Sequence, residues 1–255
     1  MSSRSTFNCF GLVVNGITAE EALRRIDDAV AHGSQTMVVT ANPEILLEAR
    51  RNPAFWNVLR QADLRLVDSF GLKLAGMFSG ARPTRVTGVD FAEYLLQISQ
   101  QRHWKVALIG GEEGNADKAA WKLRQAYPEL PIFAERGGAV LPDGSEDEAT
   151  KEMQFRLTQF APDVLLVGFG APKQESWIAK NLAELPSVKV AIGVGGTIDY
   201  WSESKPRAPK WLRDFGLEWL YRLLNEPSRW KRILRAVIVF PLVFVFGDKK
   251  SPTSR

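Results

Sequence analysis

Five short runs of the chain are built around apolar residues: "TMVVTAN" (36–42), "DLRLVD" (63–68), "KVALIGG" (105–111), "DVLLVGFG" (163–170) and "KVAIGVGG" (189–196). Each is short and rich in Val, Ile and Leu, and each ends on polar or glycine residues, which predicts strands. Between them, apolar residues recur at helical spacing in "PEILLEARR", "FGLKLAGMFSG", "NADKAAWKLRQAY" and "PKQESWIAKNL". Asn42 followed by Pro43 marks a helix start, with Asn as the cap and Pro in the first turn. Strands alternating with helices of this length predict a Rossmann-like α/β domain over residues 1–200: a parallel sheet with helices on both faces. Near-continuous apolar runs fit strands buried on both sides.

The pattern changes after Tyr200. "WSESKPRAPKW" (201–211) is rich in Pro, Lys and Arg and reads as a linker. "WLRDFGLEWLYRLLNEP" and "SRWKRILRAVIVF" read as helices broken at Pro227. "AVIVFPLVFVF" (236–246) is eleven residues long, apolar throughout but for one proline. A membrane span needs roughly twenty, so an interfacial helix is expected, with a buried core helix or dimer contact as alternatives. Residues 201–247 are therefore expected to form a basic, amphipathic helical appendage, and 248–255 a disordered tail.

Composition sharpens this picture. Of 255 residues, 45% are hydrophobic and 24% charged, enough for a sizeable core. The net charge of +4 is uneven: Lys205–Arg255 holds twelve Lys/Arg against four Asp/Glu, leaving the body at −4. A basic tail on an acidic body suggests an anionic partner. The apolar and Trp content of the tail speaks for lipid rather than nucleic acid. A single cysteine excludes an intramolecular disulfide. The N-terminus lacks the apolar stretch of a signal peptide, which points to the cytoplasm.

In doubly wound sheets, ligands bind outside the carboxyl ends of the strands. Here those ends carry Thr40 and Asn42, Asp68 and Gly71, Gly110 and Gly111, Gly168 to Gln174, and Gly193 to Asp199. A carboxylate at a strand tip is costly unless it is paired, solvated or used, so Asp68 is the leading candidate for chemistry. The alternative is that it only caps the next helix. "LIGGEEGN" and "GFGAPKQE" are glycine turns after strands, but neither is a dinucleotide fingerprint nor an ATPase phosphate loop. Several such turns together suggest phosphate or sugar against backbone amides. Two histidines and one cysteine make a His/Cys metal site implausible, and no Asp-x-Asp pair is present. No metal and no cofactor are expected. A departing diphosphate would then rest on Arg, Lys or helix-end amides.

The blocks "TAN", "VDSFG", "RVTGVD", "GFGAPKQE", "GVGGTIDY" and "RAPKWLRDFGLEWLYRLLNEPSRWKR" occur in this order. Together, from about residue 10 to residue 235, they closely resemble the WecG/TagA/CpsF family, glycosyltransferase family 26. The resemblance implies an inverting, metal-independent transfer of a sugar from a UDP-sugar to a polyprenyl-diphosphate-linked sugar. It places the reaction at the cytoplasmic face of the bacterial inner membrane, in cell-surface polysaccharide synthesis, with homo-oligomers possible. By the same resemblance Asp68 is the catalytic base, with Thr40 close by and Arg85 in the pocket. Gln174 and Asp199 associate with donor binding, alongside Asn42, Gly110, Gly168, Gly170, Lys173, Gly195 and Gly196 at the strand ends. Arg222, Arg229 and Arg232 are appendage arginines expected to reach the diphosphates. One departure stands out: the family usually has Asp-Gly where this chain has Asp68-Ser69, and a side chain there narrows the turn and bears on donor fit. The transferred sugar stays open among N-acetylmannosamine, N-acetylmannosaminuronic acid and glucose types. A non-catalytic, membrane-docked nucleotide-binding protein is the alternative reading.

Overall fold

The computed structural model describes residues 5–247, apart from the side chain of Arg229; the expected tail, 248–255, lies outside the described residues. Eight strands form one sheet: β1 (Thr6–Cys9), β2 (Leu12–Asn15), β3 (Thr36–Ala41), β4 (Leu64–Val67), β5 (Val106–Gly110), β6 (Ile132–Glu135), β7 (Val164–Gly168) and β8 (Val190–Gly193). Their order is β1-β2-β4-β3-β8-β7-β5-β6. Only β1 and β2 pair antiparallel; the other pairs are parallel. The five expected strands are β3, β4, β5, β7 and β8. The three additional strands lie toward the edges, where short or half-exposed segments carry little apolar signal. β1 and β2 are joined by Phe10 and Gly11, both at positive φ (53° and 83°), a backbone suited to a two-residue hairpin.

The strands alternate their side chains between two apolar layers. Val38, Leu64, Leu66, Leu108, Leu166 and Ile192 face the helices Ala19–Ala31, Gly88–Gln101 and Asn115–Ala126. Val39, Val67, Ile109, Val167 and Ala191 face the opposite layer, which includes the helices Pro43–Arg51, Pro53–Gln61 and Lys173–Asn181. Helices therefore cover both faces of a largely parallel sheet, the Rossmann-like arrangement expected from the sequence.

Beyond Trp201 the chain forms the helices Lys210–Asp214, Glu218–Asn225, Trp230–Leu234 and Phe240–Phe246. The break near Pro227 is present as the short turn Pro227–Arg229. The stretch expected as one helix before it is two, split at Gly216. Gly216 has φ +72°, and a Cβ there would lie 2.5 Å from Cγ of Phe70, so the site requires glycine on two counts. The last helix docks on the body: Phe240 and Phe244 are buried in the same apolar layer as Phe10, with ring centroids 6.1 and 6.5 Å from it. No helix among the described residues is long and apolar enough to cross a membrane.

Candidate active site

Asp68 directly follows β4, and its N–H donates to the Ala41 carbonyl at 3.0 Å, one residue beyond the ladder. Its Oδ1 accepts from the Gly88 N–H at 2.8 Å, at the start of the helix Gly88–Gln101, where the positive dipole end favours a carboxylate. Asp68 does not cap the next helix. Ser69 does, its Oγ accepting from the Leu72 N–H at 3.2 Å. The Ser69 side chain thus turns to the helix end. Burial pushes the Asp68 carboxyl above the ordinary carboxylate range. The Gly88 amide opposes this, the Glu218 charge adds to it, and Arg222 and Arg85 oppose it.

Thr40, near the end of β3, donates through Oγ1 to the Gly193 carbonyl at 3.0 Å, tying β3 to β8. Its methyl group lies against Gly88, where a Cβ would stand 3.2 Å away. Asn42 caps the helix Pro43–Arg51, accepting from Glu44 and Ile45 N–H groups at 3.0 and 3.1 Å. Gln174 is buried, and its Oε1 accepts from the Gly170 N–H at 3.1 Å and the Gly195 N–H at 3.0 Å. Its Nε2 donates to Glu175 Oε1 at 2.8 Å. Gln174 therefore clips together the glycine turns after β7 and β8. Glu175 beneath it is fully buried, and desolvation pushes its carboxyl up to about 7. Asp199 accepts from Asn115 Nδ2 at 2.8 Å, from the Glu112 N–H at 3.3 Å and from Lys205 Nζ at 3.5 Å.

These elements enclose a cavity of about 740 Å³. Thr40, Asn42, Asp68 and Arg85 line it, as do Gly168, Gly170, Gln174, Gly195, Gly196 and Asp199 at the other strand ends. Arg222 and Arg232 enter it from the appendage. Gly110 and Lys173 do not line it. Gly110 packs against Gly168, where an added Cβ would meet backbone at 2.7 Å, and Gly111 takes its place in the wall. Lys173 is exposed at the start of its helix. The Arg229 side chain lies outside the described residues. Among the described residues, no group of three or more His, Cys, Asp or Glu is gathered closely enough to hold a metal ion.

The guanidinium groups are engaged by the protein itself. Arg85 donates through Nε to the Asp68 carbonyl at 3.0 Å, through Nη1 to the Arg213 carbonyl at 2.9 Å and through Nη2 to Glu218 at 3.3 Å. Arg222 pairs with the other oxygen of Glu218 at 2.5 Å and lies over the Tyr200 ring. Arg232 pairs with Glu44, at 2.5 and 2.8 Å. Apolar side chains also line the cavity: Phe70, Leu74 and Phe78 with Val237, Pro241 and Val245.

Sequence reasoning did not single out Glu218, Glu44, Lys205 or this apolar lining. The spacing of Glu218 four residues before Arg222 was a usable signal, since such helical pairs are neighbours. The pairing of Glu44 with Arg232, 188 residues apart, left no local trace.

A family profile described as "Glycosyl transferase WecG/TagA/CpsF family" matches residues 7–254. The chain is similar to proteins named N-acetylglucosaminyldiphosphoundecaprenol N-acetyl-beta-D-mannosaminyltransferase from Staphylococcus aureus strains MRSA252 and MW2. Each is 31% identical over 244 residues, covering 94% of this chain and 92% of the relative. A carboxylate at a strand end, guanidinium groups lining the same cavity, and these matches along nearly the whole chain converge: the protein belongs to the WecG/TagA/CpsF family of glycosyltransferases.

Proposed function

We propose that this glycosyltransferase moves a sugar of the N-acetylmannosamine type from a UDP-sugar to a polyprenyl-diphosphate-linked sugar, with inversion. The observation that carries the reading is the Asp68 carboxylate, in a cavity lined by both arginines and apolar side chains. A single displacement at an anomeric carbon needs one base to take the proton of the acceptor hydroxyl as it attacks. Asp68 is suited to that role, because burial makes it a stronger base than an exposed aspartate. Glu218, the other carboxylate close by, is held by two arginines and is not free to act as a nucleophile. The negative charge that develops on the departing UDP falls to Arg222 and to the N–H groups of Arg85 that the protein leaves unused. The relatives' names specify an undecaprenol-linked diphosphate acceptor and a mannosaminyl group. The apolar lining of the same cavity has the chemistry to receive the polyprenyl chain of such an acceptor.

The same reading puts the protein at a membrane surface, with residues 1–200 as the catalytic domain and 201–247 as the contact. Leu234, Val237, Ile238, Leu242, Val245 and Phe246 are exposed on the appendage, with Trp230 nearby. An exposed apolar stretch beside Lys231 and Arg235 is the profile of an interfacial segment. The deciding experiment incubates the full chain with a panel of UDP-sugars and vesicles carrying a polyprenyl-diphosphate-linked N-acetylglucosamine. Mass spectrometry of the lipid fraction is expected to show one added N-acetylhexosamine. UDP binding without a lipid-linked product from any donor would favour the non-catalytic nucleotide-binding alternative.

A further inference from the structure

Glu218 meets two guanidinium groups from different parts of the chain. Its Oε2 is 3.3 Å from Arg85 Nη2 and its Oε1 2.5 Å from Arg222 Nη2. Arg85 in turn holds the backbone carbonyl of Asp68 at 3.0 Å and that of Arg213 at 2.9 Å. Both glutamate and arginines line the cavity that contains Asp68. The side chains of Glu218 and Arg85 are only 21% and 17% exposed, so their charges act with little solvent screening. Removing Glu218 would leave two partly buried cations without their shared counter-ion and free both to swing.

We propose that Glu218 is a positioning residue for the transfer reaction: its carboxylate bridges Arg85 and Arg222, fixing both guanidinium groups and its own negative charge against Asp68. The proposal rests on the reading of Asp68 as the base. The arrangement has two consequences. It holds the arginines where a diphosphate will lie instead of letting them collapse onto Asp68. It also keeps Asp68 proton-seeking, since the negative Glu218 offsets the two arginines, which alone would make Asp68 a poorer base. Of the other charged groups on the cavity wall, Glu44 pairs with Arg232, Asp199 and Glu112 pair with Lys205, and the charge of Glu226 acts on Lys205. Glu218 is therefore the charge whose removal changes the field at Asp68 most directly.

The test follows the Asp68 carboxyl by carbon-13 NMR across a pH titration of the full chain, with Asp68→Asn identifying the signal. It needs no substrate, so its outcome is separable from that of the transfer assay. In Glu218→Gln the titration midpoint of Asp68 is expected at lower pH than in wild type, with Glu218→Asp in between. Where turnover is measured, the acid limb of kcat/KM shifts the same way and the plateau drops about ten- to a hundredfold, the usual cost of misplacing a transition-state contact. A structural contact alone would lower thermal stability but leave the midpoint in place. An unmoved midpoint in Glu218→Gln overturns the proposal; should that variant not fold, an unmoved midpoint in Glu218→Ala, which likewise removes the charge, does so.

Discussion

Asp68 and Glu175 are both carboxyls raised by burial, yet they call for different tests. Asp68 faces the cavity and holds the Gly88 amide. Asp68→Asn keeps that hydrogen bond and removes the base. Turnover is expected to fall by about two to four orders of magnitude, the weight of general-base catalysis, with UDP affinity by calorimetry largely kept. The raised carboxyl also means that kcat/KM declines on acidification from a higher pH than an ordinary aspartate would give. Glu175 lies under the glycine turns, and its effect is on stability. Its folded value of about 7 stands above the unfolded 4.5. The native state then binds the proton more tightly, so stability is full below the unfolded value and lost as pH rises through 7. The loss by pH 8 is on the order of 3 kcal/mol. Urea unfolding at pH 5 and pH 8 is expected to show this slope in wild type and a flatter one in Glu175→Gln.

At the scale of elements, the joints matter more than the helices. Ser69 caps the helix Phe70–Phe78. Ser69→Ala is expected to cost about 1 kcal/mol and Ser69→Gly only a few tenths, so the residue usual in the family is nearly neutral here for stability. A change in donor preference in Ser69→Gly, read with the UDP-sugar panel, would assign it a separate role in the turn. Gly216 is the opposite case. Its positive φ and its closeness to Phe70 leave no room for a side chain. Gly216→Ala is expected to loosen the segment 210–225 from the body by about 1–3 kcal/mol. Hydrogen exchange should report faster exchange there, with β3, β5 and β7 unchanged.

At the scale of the whole molecule, the appendage is joined to the body by apolar packing at Phe240 and Phe244 and by charge pairs at Arg85, Arg207, Arg213 and Arg232. Truncation at Tyr200 removes Arg222, Glu218 and one wall of the cavity together. We expect the truncated chain to bind UDP yet turn over little on lipid-linked acceptor. Full activity of that chain would dismiss a role for the appendage in the reaction. Flotation with anionic vesicles should carry the full chain upward and leave Lys231→Glu/Arg235→Glu behind, since each basic residue near such a surface contributes roughly 1 kcal/mol.

The alternating strand and helix periods determined the Rossmann-like body, because strands buried on both faces write near-continuous apolar runs into the chain. Chain order likewise put Thr40, Asp68, Gly168 and Gly195 at strand ends, since parallel strands bring those ends to one side of the sheet. The short strands β1, β2 and β6 stayed hidden because edge segments bury too little to show a period. What only the tertiary structure decided is which partner each charge takes. Arg85 reads in sequence only as a pocket residue, and folding gives one bond from each of its three nitrogens to Asp68, Arg213 and Glu218. Gln174 reads as a donor contact, yet its amide binds two glycine turns. A hydrophobic period is a local property of the chain, whereas an ion pair spanning 133 residues exists only once the fold has closed the distance.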